Sequence, residues 1–319
     1  MGHESRKPAI SVVVASYNHA PYVRACIESA LNQTHAPCEV IVVDDGSADG
    51  SREIIESFGA AIRPVFQANR GTCGALNAGF ALASGDWIAI HNSDDVWRPE
   101  KLARQAEIAA SQPGIGLVHT GFVCIDAEGK PYAAPPPGAN VPDYHGPPVA
   151  EMLPTMLRSM PVMISSAMIS RQAWERCGPF DERFHGLGDW DLCLRISEEF
   201  PFGFVDEPLT LIRKHPTNSS TDASRIPSDW TQRDWPYLAR ETMPRAARHL
   251  FAKAQQGASD REEAAFALAC LATIYSWGQE PDLARATYAL AARLCPLRLK
   301  TYLRYAVTFL PRALRQRIR

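Results

Sequence analysis

The chain is 319 residues long, 46% hydrophobic and 21% charged, with a formal net charge of −2. That is the make-up of a folded globular protein with room for one large domain and an appendage, and its charge balance gives no reason to expect nucleic acid as a partner. No apolar run is long enough for a spanning helix, and none of the eight cysteines forms a Cys-x-x-Cys pair; both absences, with no apolar leader after the polar Met1–Pro8 segment, point to a reducing, cytoplasmic setting.

The first hundred residues alternate between strand and helix signals. Ile10–Ala15 is a β-branched run, and Pro21–Gln33 follows with Val23, Ile27, Ala30 and Leu31 at helical spacing. Val40–Val43 is a second buried strand, Asp49–Phe58 a helix with an acidic first turn, Pro64–Phe66 a short strand, Gly74–Ala83 a helix and Trp87–Ile90 a fourth strand. This alternation predicts an α/β fold with a mostly parallel sheet covered on both faces. Pro131–Pro148, rich in Pro, Ala and Gly, reads as a surface loop or lid. Met163–Ile169 is a further strand candidate, Asp189–Glu199 a helix, and Phe202–Val205 and Leu209–Ile212 two late strands.

Composition changes near residue 220. Residues 1–220 form the expected catalytic domain and 221–319 a helical C-terminal region. Thr221–Trp235 reads as a linker or docking segment. Glu262–Trp277 and Pro281–Leu294, separated by Gly278, resemble one tetratricopeptide-type helix pair or a generic hairpin, which in either case must pack on the main domain. The last residues, Leu310–Arg319, are cationic with Leu314 and Ile318 on one side. Such a segment suits an anionic membrane surface or a solvated helix end.

In an open α/β sheet, ligands bind outside the carboxyl ends of the strands. The tips here are polar: Ser16-Tyr17-Asn18, then Asp44-Asp45-Gly46-Ser47, then Asn69-Arg70-Gly71, then Asn92-Ser93-Asp94-Asp95. Adjacent carboxylates repel unless a cation or partner takes up their charge, and hard divalent ions prefer oxygen. Asp94 and Asp95 therefore suggest a Mg²⁺ or Mn²⁺ site holding a diphosphate, and Asp44 and Asp45 acceptors for base or ribose. Turn and cap roles are the competing reading for both pairs. Neither a Gly-x-Gly-x-x-Gly after the first strand nor a Gly-x-x-x-x-Gly-Lys-Ser/Thr loop occurs, which disfavours dinucleotide dehydrogenases and P-loop enzymes.

Taken in order, Ser11–Asn18 (SVVVASYN), Val40–Ser47 (VIVVDDGS), Gly85–Asp95 (GDWIAIHNSDD) and Gly188–Arg195 (GDWDLCLR) resemble the family 2 inverting glycosyltransferases with the A-type fold, over roughly residues 9–220. The resemblance implies a nucleotide-diphospho-sugar donor, uridine-linked before any other base, a hydroxyl acceptor of unspecified identity, and a divalent cation, Mg²⁺ or Mn²⁺. It implies Ser16, Tyr17, Asn18, Asp44, Asp45, Arg70, Asn77 and Asp94 at the nucleotide, Asp94, Asp95 and His215 at the metal, and Asp189 as catalytic base. Trp190 and Asp191 are the acceptor-side candidates, with Asp191 also the fallback base. Two positions depart from the family pattern. Asn92 stands where an acidic residue is common, and Gly188 precedes the base where Glu is common. A nucleotidyltransferase and a non-catalytic nucleotide-sugar-binding module are the alternative functions.

Overall fold

The computed structural model describes residues 8–132, 148–216, 218, 234–277 and 280–296. The expected lid core (133–147), most of the expected linker, Gly278 and the basic tail lie outside the described residues.

Among the described residues the sheet has nine strands, numbered in chain order and arranged β3-β2-β1-β4-β8-β6-β9-β5, with β7 beside β9. Its first half is β1 (Ile10–Ser16), β2 (Glu39–Asp44), β3 (Arg63–Phe66) and β4 (Trp87–Asn92), all mutually parallel. These strands are apolar throughout because both faces are covered. Along β1 and β2 the residues divide by parity. Val13, Ile41 and Val43 enter one core cluster with Ile88 and Ile90, while Val12, Val14, Val40 and Val42 enter the other. Helices α1 (Val23–Leu31), α2 (Ser51–Glu56) and α4 (Lys101–Ser111) supply the second cluster; α3 (Gly71–Leu82) supplies the first. Helix α3 lies close to the sheet because Gly79 has no Cβ: one there would stand 2.3 Å from Val13 Cγ1.

The second half mixes directions. β5 (Val96–Trp97), β6 (Leu117–Ile125), β7 (Val149–Ala150), β8 (Met168–Ser170) and β9 (Phe202–Arg213) complete the sheet. β8 runs antiparallel between β4 and β6, whereas β6 and β9 are parallel. The strand expected over 163–169 is a 3-10 turn at Ile164–Ser166 followed by β8, because both the amide and the hydroxyl of Ser166 turn back to the Met163 carbonyl. The two expected late strands are one, β9. The polar interruption between them is a bulge where Gly121 of β6 passes the Glu207 carbonyl.

After α5 (Leu153–Met156) and α6 (Arg171–Cys177) comes α7 (Gly188–Glu199), which carries the last motif. A π-helical turn at Leu238–Thr242 leads into α8 (Met243–Gln255), and α9 (Arg261–Trp277) and α10 (Pro281–Leu294) form a pair tied by Thr273 and Tyr288 hydroxyls 2.8 Å apart. Leu250, Leu268, Tyr275 and Tyr288 belong to the same core cluster as Val13 and Ile90, so these helices extend the core of the sheet rather than enclosing one of their own. None of the eight cysteines is in a disulfide. Among the described residues no helix is long and apolar enough to cross a membrane.

Candidate active site

Parallel register brings the carboxyl ends of β1, β2 and β4 to one edge: Ser16 pairs with Asp44 and Ala15 with Asn92. Beyond that edge lies a cleft of about 350 Å³. Ser16, Tyr17, Asp45, Asp94, Asp95 and Asp189 all line it. The acidic residues of three separate motifs therefore share one cavity.

The nucleotide-side tips are held by local hydrogen bonds. Asp44 Oδ1 accepts the N–H groups of Gly46 and Ser47 at 3.2 and 2.9 Å, which folds the turn that presents Asp45. Asp45 Oδ1 accepts from Gln67 Nε2 at 2.7 Å and from the Arg70 backbone N–H at 2.9 Å. Asn18 takes a left-handed conformation, φ 52°, its side chain accepting the Ala48 N–H while its own amide donates to Ser47. These bonds lock the first two tips together. The Ser16 hydroxyl is buried in the cleft wall with no hydrogen-bond partner among the described residues, and Tyr17 is exposed at the rim.

Several expected site residues are engaged elsewhere. The Arg70 guanidinium grips both oxygens of Glu182, at 2.7 and 2.8 Å, so only its backbone amide reaches the site. Asn77 uses both ends of its amide on the Phe180 backbone and a further N–H on Glu182. Both residues therefore fasten the segment leading to α7 and do not line the cleft. Trp190 donates its indole N–H to the Met156 carbonyl and packs against the core. Asp191 is buried, ion-paired to Arg195 at 2.7 Å and bonded by the Thr242 hydroxyl at 2.5 Å. Neither lies on the cavity wall, and a carboxylate so fully occupied is a poor substitute base.

His19 and Asp94 on the cleft wall, and the buried His215 beside Asp94, each offer a ligating atom, all within 4.8 Å of one another. Asp94 Oδ2 lies 3.2 Å from His215 Nε2 and accepts from Asn218 Nδ2 at 2.8 Å. Burial opposes the Asp94 charge, but the His215 hydrogen bond and the nearby His19 outweigh it and hold the pKa below the usual carboxylate value. Burial, then the charge of Asp94, pushes Asp95 well above that value. Asp95 accepts the Arg213 N–H at 2.9 Å, so it braces β9 against the tip of β4. The imidazole of His19, not Asp95, joins Asp94 and His215. Sequence reading missed His19, although it directly follows the Ser-Tyr-Asn tip.

Asp189 sits in the first turn of α7. Burial raises its pKa to about 6, with a smaller push from Asp234; the Trp190 N–H on Oδ1, at 2.8 Å, pulls the other way. The side chain keeps some exposure to the cleft. Gly188 is closely packed: a Cβ there would stand 2.4 Å from Cys73 Sγ and 3.3 Å from Phe184 Cβ, so the thiol would have to turn aside.

Residues 11–172 match the family model described as "Glycosyl transferase family 2". An uncharacterized glycosyltransferase of Nostoc sp. is 46% identical over 114 residues, 34% of this chain and 35% of that protein. A chondroitin synthase of Escherichia coli is 29% identical over 205 residues, 63% of this chain and 28% of that protein. The chain thus spans about a third or less of the length of these two relatives. Among solved structures, residues 1–349 of S. aureus TarS in complex with UDP-GlcNAc superpose with a TM-score of 0.63 at 16% identity, covering 94% of this chain and 90% of that one. The fold is the A-type glycosyltransferase fold.

Proposed function

The chain belongs to glycosyl transferase family 2, and from that premise we propose that it is an inverting, metal-dependent transferase that moves a sugar from a nucleotide-diphosphate donor, a UDP-sugar first among candidates, to a hydroxyl of a glycan, lipid-linked or related acceptor. The observation that carries this reading is the convergence of Asp45, Asp94 and Asp189 on one cleft.

The donor's base would lie at Asp45, whose Oδ1 is already engaged by Gln67 and Arg70 and so held in place. The unpartnered Ser16 hydroxyl is free to bond base or ribose. A divalent cation fits His19, Asp94 and His215: one carboxylate kept ionised and two imidazoles within mutual reach. Mixed nitrogen and oxygen ligands favour Mn²⁺ over Mg²⁺, which prefers oxygen alone. When bound, such an ion offsets the charge of a departing diphosphate. Asp189 takes the proton from the acceptor hydroxyl as that oxygen attacks the anomeric carbon from the face opposite the leaving group. With a pKa of about 6 it is ionised at neutral pH and more basic than a solvated aspartate, as a general base should be. The helices between residues 234 and 294 would serve as a buttress, and the basic sequence 310–319 as a contact with an anionic membrane surface.

A thermal-shift panel tests the reading: UDP-GlcNAc, UDP-glucose, UDP-galactose, UDP-glucuronate and GDP-mannose, each with Mn²⁺ and with EDTA. A ligand at a hundred times its Kd adds about 2.7 kcal/mol of apparent stability. At least one donor should raise Tm with Mn²⁺ and release its nucleoside diphosphate slowly. No shift and no release across the panel would sink the proposal.

A further inference from the structure

We propose that Asp234, contributed by the C-terminal helical region, is a positioning residue for Asp189: its carboxylate clamps the three backbone amides that lead into α7 and so sets where the base stands in the cleft. The inference rests on the transferase reading above and adds to it a residue outside the family's matched segment, 11–172.

Asp234 is fully buried. Its oxygens accept the N–H of His185 at 3.1 and 2.9 Å, of Gly186 at 2.6 Å and of Leu187 at 3.0 Å. These amides immediately precede Gly188, the first residue of α7, and the helix has no side-chain cap from its own N-cap residue, Leu187. A remote carboxylate therefore supplies what a local Ser, Thr or Asp normally would, and supplies it to three donors instead of one. A negative group at this end also meets the favourable pole of the helix. His185, Gly186, Gly188 and Asp189 all line the cleft, so the clamped segment is cleft wall.

Three further contacts tie the same stretches together. Arg183 pairs with Glu241 at 2.9 Å, the Thr242 hydroxyl bonds Asp191, and Arg245 pairs with Glu198 at 2.7 Å. The Arg183–Glu241 pair is solvent-exposed on both sides and contributes little by itself, while Glu198 is mostly covered in its pair with Arg245. The Thr242–Asp191 bond is buried too, but it holds a side chain of the first turn of α7, whereas Asp234 holds the backbone amides that lead into it.

The charge of Asp234 has a second consequence. After burial, it is what pushes the Asp189 pKa upward. Cys73 on α3, Asp181 and His185 on the preceding loop, and Cys193 and the Asp191–Arg195 pair on α7 are the other titratable or charged groups around Asp189. Burial holds both thiols protonated, Cys73 to about 12 and Cys193 also well above its usual value, and Arg195 offsets Asp191.

The experiment compares the full-length protein with Asp234→Asn and Asp234→Ala, using donor hydrolysis with Mn²⁺ and the panel donor that the wild type turns over fastest. Displacing a catalytic group by about 1 Å can cost about 100-fold. The expected result is kcat down about 10-fold in the Asn variant and about 100-fold in the Ala variant, with donor KM within about 2-fold. The acid limb of kcat, near pH 6 in the wild type, should move to lower pH in both. Amide hydrogen exchange at 185–187 should accelerate in both. A purely structural role would lower the active fraction without moving the acid limb. An unmoved limb, an unchanged kcat, or unchanged exchange at 185–187 overturns the clamp while leaving the transferase reading intact. A wild type with no turnover on any donor removes both.

Discussion

Replacing Asp189 by Asn should inactivate the protein and make it more stable. The carboxyl stands at about pH 6 rather than the ordinary 3.8, first because it is buried and then because Asp234 is near. Two pKa units correspond to about 3 kcal/mol at 1.36 kcal/mol each. Asp189 keeps contact with the cleft, where water screens its charge, so the realised cost of ionising it is about 1–2 kcal/mol. Asn keeps the shape and the Oδ1 acceptor for the Trp190 N–H but carries no charge. At about 2–4 °C per kcal/mol for a large domain, Tm should rise by about 2–8 °C at pH 8. The sign follows from linkage. Below the unfolded value both states hold the proton and the acid costs nothing; as pH rises through the folded value the native state must surrender it unfavourably. The gain in the Asn variant should therefore be full above about pH 6, shrink below it, and vanish near pH 4. Differential scanning fluorimetry at pH 5 and pH 8, beside donor turnover, measures both effects. A Tm gain independent of pH, or an Asn variant that still turns over donor, would refute the assignment of Asp189 as a buried, strained base.

Asp94→Ala should remove the Mn²⁺-dependent part of the donor thermal shift, since it deletes the carboxylate that His19 and His215 surround. It should also cost about 1–3 kcal/mol by taking the shared acceptor from His215 and Asn218; an unaltered Mn²⁺ response would dismiss this as the metal site. Gly188→Ala should destabilise by about 1–3 kcal/mol through overpacking against Cys73. Adding Cys73→Gly should recover most of that loss in a double-mutant cycle, and additive losses would show that the clash is not with the thiol.

The sequence by itself determined the parallel half of the sheet and the polar edge of the cleft. Unbroken β-branched runs at Ile10–Ser16 and Glu39–Asp44 are what strands covered on both faces require, and that signal is local. So is the placing of Ser16, Asp45, Asp94 and Asp189 at the ends of their elements. The helix pair after residue 260 was legible for the same reason, its apolar spacing matching α9 and α10. Only the tertiary structure decided which polar groups are free for chemistry. The family resemblance puts Arg70 and Asn77 at the nucleotide, but Glu182, more than a hundred positions away, claims both side chains. His19 becomes a candidate ligand only because β9 returns His215 to the tip of β4. Asp234 reads in sequence as one acid in a polar segment, and nothing near it marks the three amides it meets. Strand and helix periods are written in neighbouring residues, whereas a hydrogen bond's partner is fixed by how the elements pack, and that information is spread over the whole chain.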